Sequence, residues 1–366
     1  MITVRRAAFV VVCLSLPALP LHAADFEVTR YDDPTPDDCL DEDCSLREAA
    51  IAANADTGAD RILLSAGTYL LAIPGISENL SATGDLDLTQ DVEIVAPGAT
   101  MSILDGGALD RVLEVSGALT EVTIRGLTIR NSGASQIGVL LLSGSLTIED
   151  SEIRANGTHG IQSASGSLTL RRSTIAENGG TGLLAFGGVG LELVNVTISE
   201  NAGEELTVQA SAAFDCSHCT IQDTDDGDTE VTAASSVALR FTNSIVAGNC
   251  LSTDGAIDSQ GGNLEGPGDT CSFDQGSDQF SIADLQLGAL ADEGGPTRTQ
   301  MPGSGSAAVS GALDAACASD DQRGADRPDV DCDAGADERE AARPGTPLFH
   351  DGFVQGDTEA WDFTFP

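Results

Sequence analysis

The segments SLTIEDSEIRANG (residues 145–157), SLTLRRSTIAENG (167–179) and GLELVNVTISENA (190–202) are three copies of one pattern. Each copy alternates apolar and polar residues, which is typical of a strand, and ends in a polar turn. A ladder of isoleucines with spacings of 24, 22, 23, 23 and 24 residues extends the pattern: Ile129, Ile153, Ile175, Ile198, Ile221 and Ile245. A second apolar ladder accompanies it: Ile124, Ile148, Leu170, Leu193, Cys216 and Phe241. Because one period of about 23 residues holds several short strands and turns, the sequence predicts an all-β, single-stranded parallel β-helix.

The composition is that of a strongly acidic chain. Its 366 residues include 58 acidic and 17 basic side chains, which gives a formal net charge of −41 at pH 7, and every basic side chain is an arginine. A charge of this sign repels nucleic acid and anionic membrane surfaces, so we expect neither as a partner. Hydrophobic residues make up 41% of the chain, which is enough to fill the interior of a column.

Residues 1–23 have the features of a secretory signal peptide. Arg5 and Arg6 form the charged start, the apolar run AAFVVVCLSLPALP follows, and small residues end the segment. The apolar run is short and interrupted by proline, and no other segment is apolar for long enough to span a bilayer. The sequence therefore predicts an exported protein without a membrane span, either extracellular or at the cell surface.

Eight cysteines follow Cys13 of the apolar run, and an even number in an exported chain favours disulfides. Proximity along the chain favours four pairs without proving them: Cys39–Cys44, Cys216–Cys219, Cys250–Cys271 and Cys317–Cys332. An alternative to a disulfide in the segment CSHC at 216–219 is a redox or zinc site. Neither a second CxxC nor a βαβ pattern accompanies it, so a structural role is the favoured interpretation.

The pattern divides the chain into successive regions. Residues 24–58 form an N-terminal cap, in which SLREAAIAANA (45–55) predicts a short helix capped by Ser45 and Glu48. Such a helix covers the hydrophobic interior and the unpaired strand edges of the first coil, with an apolar stripe at Leu46, Ala49, Ala50 and Ala53. The β-helix then occupies 59–265, irregular coils and a C-terminal cap occupy 266–342, and a tail occupies 343–366.

Three asparagines, Asn156, Asn178 and Asn201, each follow a ladder isoleucine by three residues. Asparagine tolerates left-handed backbone, and its side chain hydrogen-bonds to nearby groups. We therefore interpret the three as turn residues that can also bond to one another along the column, and not as a ligand-binding site.

Longer stretches resemble a known family. CSLREAAIAAN (44–54) resembles the CSLREA motif of a group of exported bacterial proteins, and DRILLSAGTYLL (60–71) resembles a strand segment that follows the motif in those proteins. Three segments between Gly294 and Glu338 resemble their choice-of-anchor domain: GGPTRTQMPGSGSAAVSGAL, DQRGADRP and CDAGADE. HDGFVQGDTEAW (350–361) is similar to a tail of secreted gammaproteobacterial proteins. The resemblance implies a right-handed, pectin-lyase-like β-helix from a Gram-negative bacterium, and it implies no established activity.

Two classes of function are compatible with such a column. Its extended flat faces suit a non-catalytic module for adhesion, interaction or structure, whose partner would be a surface component or a polysaccharide. The alternative is a carbohydrate-active enzyme, a polysaccharide lyase or glycoside hydrolase, although a fold does not determine a function. A lyase needs a calcium-binding group of carboxylates beside a basic arginine, but no repeated Asp column accompanies Arg125, Arg130, Arg154, Arg171 and Arg172.

The hydrolase version of the alternative needs clustered acids near a histidine. GTHG surrounds His159, but the acid pair Asp225 and Asp226 comes later in the chain and in the wrong order. The sequence therefore predicts no catalytic residue.

Calcium is the one cofactor that the sequence suggests. The segments 223–230 (DTDDGDTE) and 329–338 (DVDCDAGADE) gather oxygen ligands over short spans, but neither matches an EF-hand because the glycine is misplaced. The candidate ligands are Asp223, Asp225, Asp226, Asp228, Asp329, Asp331 and Asp333.

Overall fold

The computed structural model describes residues 23–210, 214–222, 229–233, 239–253, 257–328 and 330–339. Over these residues the chain winds into a right-handed parallel β-helix with one short helix at its N-terminal end, which confirms the predicted fold class. Residues 1–22 of the predicted signal peptide and the predicted tail 343–366 lie outside the described residues.

Within the described residues, twenty-four strands build the column. The first nine are β1 (Asp25–Glu27), β2 (Asp60–Leu63), β3 (Gly67–Leu70), β4 (Leu86–Leu88), β5 (Val92–Val95), β6 (Ser102–Asp105), β7 (Leu113–Val115), β8 (Glu121–Arg125) and β9 (Thr128–Arg130). The next nine are β10 (Val139–Leu141), β11 (Ser145–Glu149), β12 (Glu152–Arg154), β13 (Ile161–Ser163), β14 (Gly166–Ala176), β15 (Leu183–Gly187), β16 (Val189–Ser199), β17 (Leu206–Ala210) and β18 (Phe214–Gln222). The last six are β19 (Thr229–Ala233), β20 (Leu239–Thr242), β21 (Ile245–Ala247), β22 (Asn249–Ser252), β23 (Ile257–Gly261) and β24 (Leu264–Gly266).

The strands stack into three columns, which we call the first, second and third faces. The first face begins with β1 and β2, continues through β5, β8 and β11, and ends with β20 and β23. The second face begins with β3 and continues through β6, β9 and β12 to β21 and β24. The long strands β14, β16 and β18 pass through both of these faces. The third face is a separate sheet of eight strands: β4, β7, β10, β13, β15, β17, β19 and β22.

Both predicted ladders line the interior, with one exception. The first-face ladder pairs in register at every step from Ile124 to Phe241. The second-face isoleucines pair in register from Ile129 to Ile221. The prediction is wrong for Ile245, which pairs with Thr220 on the outer side, whereas Val246 pairs with Ile221 inside. This coil has 25 residues, one more than the spacing from Ile221 to Ile245, so Ile245 lies one position before the interior residue and points outward.

The first and second faces meet at a corner of residues with left-handed backbone. Equivalent positions in six successive coils have φ between 46 and 71°: Gly126, Asp150, Arg172, Asn195, His218 and Asn243. Each lies three residues before the interior residue of the second-face ladder. Glycine, asparagine and aspartate adopt this conformation at the lowest cost, which accounts for four of the six residues.

Helix α1 (Leu46–Ala55) covers the N-terminal end of the column. Ser45 Oγ accepts a hydrogen bond from the Glu48 N–H, and the Glu48 carboxylate accepts one from the Ser45 N–H at 2.7 Å, so the predicted capping box is present. The predicted apolar stripe is buried and joins the main core. The helix thereby shields the interior of the first coil.

The C-terminal part of the chain returns along the side of the column. We call residues 297–338 the C-terminal strap; they contain a 3-10 turn at Asp314–Ala316. Gln322 Nε2 donates to Thr174 Oγ1 at 2.8 Å, and Thr197 Oγ1 donates to Gln322 Oε1 at 2.7 Å. The Ala336 N–H donates to Thr220 Oγ1 at 2.9 Å. The strap therefore lies on the second face, a position that the sequence analysis did not predict for this region.

The described part of the chain contains four disulfides, which join the four pairs that proximity favours: Cys39–Cys44, Cys216–Cys219, Cys250–Cys271 and Cys317–Cys332. Cys216 and Cys219 are both buried on β18 and belong to the main core. The bond between them gives the CSHC segment a structural role in the interior.

Candidate functional site

Three buried carboxylates gather on the outer side of the third face, near the N-terminal end of the column. Asp87 of β4 and Glu114 of β7 are register partners, and Asp85 lies one residue before β4. Alternation points Asp87 outward, because the leucines on either side of it lie in the interior. The three residues are nevertheless at most 2% exposed, and the loop 72–84 between β3 and β4 covers the site through Ser81, which contacts Asp87.

One oxygen of each carboxylate is held by a neighbouring donor. The Ser81 N–H of the covering loop donates to Asp87 Oδ2 at 2.8 Å. The Arg111 guanidinium joins the other two carboxylates, with its Nε 2.9 Å from Asp85 Oδ2 and its Nη2 3.0 Å from Glu114 Oε2. Three carboxylates and one guanidinium leave two excess negative charges in this buried site when all are ionised.

The second oxygen of each carboxylate has no donor. Asp85 Oδ1, Asp87 Oδ1 and Glu114 Oε1 are buried without a hydrogen-bond partner. The three carboxylates each bring one oxygen within 4.8 Å of the others, and within the described ranges they are the only acidic, cysteine or histidine group of three or more that could share one cation. Burying charged oxygens without hydrogen-bond partners costs free energy, so a proton, a water molecule or a cation bound to these oxygens would stabilise the cluster.

The electrostatics of the site are those of desolvated acids. Burial raises the pKa of Asp87 to about 7, and the nearby Asp85 and Glu114 carboxylates raise it further, against the Ser81 N–H that lowers it. Burial also raises the pKa of Asp85 and of Glu114, although Arg111 opposes both shifts. Protonation of Asp87 near neutral pH is therefore one way for the cluster to reduce its excess charge.

Arg47 of the CSLREA-like segment fixes the covering loop to the cap. Its side chain is fully buried, and all five of its N–H donors have acceptors. Two bonds reach the Asp33 carboxylate, at 2.7 and 2.9 Å. The other three reach carbonyl oxygens at 2.8–3.1 Å, those of Ser81, Gly84 and Asp85. A buried arginine with every donor satisfied makes a rigid link between α1 and the loop.

Asn54, at the other end of the same helix, holds β4 directly. Its Nδ2 donates to the Asp87 carbonyl at 2.6 Å, and its Oδ1 accepts from the Thr89 N–H at 2.8 Å. The polar residues of the CSLREA-like segment thus position the backbone that carries Asp85 and Asp87, in addition to covering the column.

The predicted calcium ligands do not form this site. Asp223, Asp225, Asp226, Asp228 and Asp329 lie outside the described residues. Asp333 is buried, and both of its oxygens accept backbone N–H bonds at 2.7 Å, from Ser310 and Arg339. Asp331 is exposed on the strap. Neither described residue belongs to a group that could share a cation.

The three turn asparagines are buried and stacked. Asn156 Nδ2 donates to Asn178 Oδ1 at 3.0 Å, and Asn178 Nδ2 donates to Asn201 Oδ1 at 2.8 Å. The carboxylate of Glu205 ends the row by accepting from Asn201. The left-handed residue in each turn is the one before the asparagine, with φ of 51, 58 and 61°: Ala155, Glu177 and Glu200. The amides therefore serve the stacking of the coils.

The residues considered for catalysis are occupied by structural bonds. The arginines on the coils all pair with carboxylates: Arg125, Arg130, Arg154, Arg171 and Arg172. His159 Nδ1 accepts from the Thr181 N–H at 3.1 Å on the neighbouring coil, and burial lowers its pKa. Asp225 and Asp226 lie outside the described residues.

Sequence reasoning missed the cluster because its members are neither adjacent in the chain nor in the regular repeats. The signal that could have indicated it is the alternation LDL at 86–88 and LEV at 113–115, which places acids at matching outward positions of two strands. Nothing in that alternation predicts that a loop buries them.

One comparison with known proteins supports the fold. A family model described as a right handed beta helix region matches residues 112–274. The crystal structure of pectate lyase Pel9A is similar with a TM-score of 0.49 and 14% sequence identity, over 88% of this chain and 98% of that chain. No curated protein matches the sequence. In the described part of the chain, no helix has the length and apolar character needed to cross a membrane. Residues 112–274 are therefore similar to right-handed β-helix regions, and the likeness does not extend to an activity.

Proposed function

We propose that the protein is an exported, non-catalytic module at the cell surface or outside the cell, where its column binds a surface component or polysaccharide or serves as a structural element. The observation that carries the proposal is the contrast between two sides of the column. The first face is open and polar, whereas the second face is covered by the protein's own C-terminal strap.

The open face has the composition of a polar contact surface. Its central outward row consists of register partners, none of them fully buried, in which three threonines are flanked by charged residues: Asp25, Arg61, Glu93, Thr123, Thr147, Thr169, Glu192, Asp215, Arg240 and Asp258. Strands about 4.8 Å apart present these side chains as a regular row of hydroxyl, carboxylate and guanidinium groups. Such a row suits an extended partner with many hydroxyl groups.

The arginines support a non-catalytic role. Of the fourteen arginines in the described residues, thirteen form ion pairs with carboxylates: Arg30, Arg47, Arg61, Arg111, Arg125, Arg130, Arg154, Arg171, Arg172, Arg240, Arg298, Arg323 and Arg327. Arg339 donates to the Pro302 carbonyl at 2.7 Å. A guanidinium that faces a carboxylate is held in its charged form and cannot abstract a proton.

The test measures binding and depolymerisation together. Purified protein is applied to immobilised uronic-acid and neutral polysaccharides and to cells of a Gram-negative host, and the soluble polymers are incubated with it in the presence of calcium. We expect retention on at least one surface without unsaturated products or new reducing ends. The double variant Arg61→Ser, Arg240→Ser on the first face should lose retention, whereas Arg298→Gln on the strap should keep it.

Each outcome decides part of the proposal. Unsaturated products or new reducing ends would establish the lyase or hydrolase alternative. Equal retention of the first-face and strap variants would exclude the open face as the contact surface. Recovery of the chain with its first residues intact in the cytoplasmic fraction would contradict export.

A further inference from the structure

We propose that Asp85, Asp87 and Glu114 bind one divalent cation, with calcium as the preferred ion, beneath the loop 72–84. This site differs from the acidic segments that the sequence suggested for calcium, and it is independent of whether the column is catalytic. Two features of the cluster support it: each carboxylate has a buried oxygen without a donor, and the spacing allows one ion to contact all three carboxylates.

The charge of the site selects a cation with two positive charges. The three carboxylates share one guanidinium, that of Arg111, and Arg47 is already paired with Asp33. A water molecule could donate to two of the oxygens but would leave the net charge unchanged. A divalent ion can contact one oxygen of each carboxylate and would neutralise the two remaining negative charges, which removes the main cost of burying them.

The ligand chemistry selects a hard ion. All three donors are carboxylate oxygens, without the nitrogen or sulfur ligands that zinc and copper sites use. Calcium accepts six to eight oxygens at about 2.3–2.6 Å in flexible geometry, so ligand oxygens separated by up to about 4.8 Å can share it. Magnesium requires shorter, near-octahedral bonds and keeps more water, so we expect it to bind more weakly here.

Calcium binding should stabilise the N-terminal cap. The ion would tie β4 and β7 to the loop through Asp87, whose other oxygen accepts from Ser81 of that loop. The same loop is held from the other side by Arg47 of α1. Calcium should therefore protect the loop 72–84 and the end of the column that α1 covers.

The experiment uses the purified full chain after treatment with a chelator and dialysis, at pH 7.5 and moderate salt to suppress diffuse binding. Calorimetric titrations with CaCl2 and MgCl2 are combined with hydrogen exchange of peptides that cover 72–88 and 111–115. We expect a saturable calcium site with magnesium at least tenfold weaker, and slower exchange of these peptides when calcium is present. Asp87→Asn and Glu114→Gln should each weaken calcium binding at least about tenfold, since each removes a ligand charge but little volume.

Asp215→Asn is the matched control, because it removes one carboxylate from the exposed first face. It should leave both the calcium affinity and the protection of the loop unchanged. Calcium uptake that is equal in the Asp87→Asn, Glu114→Gln and control proteins would overturn the proposal, as would the absence of protection in the wild-type loop peptides. The second observation needs no variant, so the test holds even where a substitution prevents folding.

Discussion

The first and second faces carry similar outward rows but have opposite surroundings. Thr123, Thr147 and Thr169 form a register row on the first face and remain partly accessible to solvent. Thr197 and Thr220 belong to the matching row on the second face and are fully buried beneath the strap. The comparison shows that a polar outward row of a β-helix can be either a surface or an internal interface, depending on what the rest of the chain places on it.

The strap matches the polar row with polar groups of its own. Gln322 bonds to two threonines of the row, and the Arg298 N–H donates to Glu152 at 2.7 Å. At the end of the row Ile245 packs with apolar side chains of the returning chain, in a small cluster with Leu285, Ala308 and Ala334. Ile245, which departs from the predicted interior ladder, thus provides an apolar contact for the returning chain.

The largest predicted difference concerns ion pairs on the two sides. Arg327 of the strap is buried, lies 2.9 Å from Glu338 and donates to Asn195 of the corner, whereas Arg240 of the first face forms an exposed pair with Asp215. Arg327→Gln should lower the free energy of unfolding by about 3–5 kcal/mol, because it removes the cation paired with the buried Glu338 carboxylate and the guanidinium donors to several carbonyls. Arg240→Gln should cost less than about 1 kcal/mol.

Both variants are measured by urea unfolding at neutral pH. A separate early transition in Arg327→Gln would mean that the strap unfolds before the column, which still agrees with the predicted loss. Similar small losses in the two variants would show that the strap does not bury its ion pair in solution.

The second prediction compares two glycines of the strap that share left-handed backbone. A Cβ on Gly335 would lie 2.6 Å from Ile245 Cδ1 and 2.8 Å from Thr220 Oγ1, whereas a Cβ on Gly324 would meet nothing within 4 Å. Gly335→Ala should therefore cost about 2–4 kcal/mol from backbone strain and steric overlap. Gly324→Ala should cost only the strain, about 1–2 kcal/mol. Equal losses would mean that Gly335 does not contact the column.

The regular part of this architecture could be predicted from the sequence, because a coil that stacks on its neighbour must repeat its interior residues. The ladders from Ile124 to Phe241 and from Ile129 to Ile221 are examples. The capping box at Ser45 could be predicted for a different reason, because its two partners lie only three residues apart. The prediction from the repeat failed at Ile245, because this coil has 25 residues and the interior partner of Ile221 is therefore Val246, one residue after the isoleucine that the spacing favoured.

The parts that could not be predicted depend on contacts between distant segments. Gln322 meets Thr174 across 148 residues, and Arg47 meets the Asp85 carbonyl across 38. No local period relates such pairs. The acid cluster has the same origin, because Asp87 and Glu114 become buried only when the loop 72–84 folds over an outward row.

The third prediction uses the corner beneath the strap as a pH probe. Burial, assisted by the positive charge of Arg327, lowers the pKa of His218 to about 3. The unfolded chain binds this proton more readily, so the free energy of unfolding should fall as the pH drops below about 6.5, by about 2 kcal/mol between pH 7 and pH 5. His218→Asn should remove this part of the slope, whereas His159→Asn on the open turn should remove less.

The difference between wild type and His218→Asn isolates the histidine from an opposing group. Burial raises the pKa of Asp337 to about 6, so that this acid makes the strap more stable as the pH falls from 6 towards 4. Urea unfolding of both proteins at pH 7, 6 and 5 therefore gives the required comparison. A slope unchanged by His218→Asn would mean that water reaches the corner and that the strap does not seal it.

The smallest predicted effect compares single hydroxyl groups at matching places of the two rows. Thr197→Val removes the donor to Gln322 Oε1 and leaves that buried oxygen without its 2.7 Å bond, so the free energy of unfolding should fall by about 1–2 kcal/mol. Thr147→Val removes a hydroxyl that is partly exposed to water, and valine suits a strand as well as threonine does, so its effect should lie within about 0.5 kcal/mol of zero. Because the two substitutions are chemically identical, the difference between their effects on the free energy of unfolding reports the contribution of the strap. If the Thr147 variant loses as much as the Thr197 variant, then the first face is covered in solution too, and the distinction between an open and a closed side of the column fails.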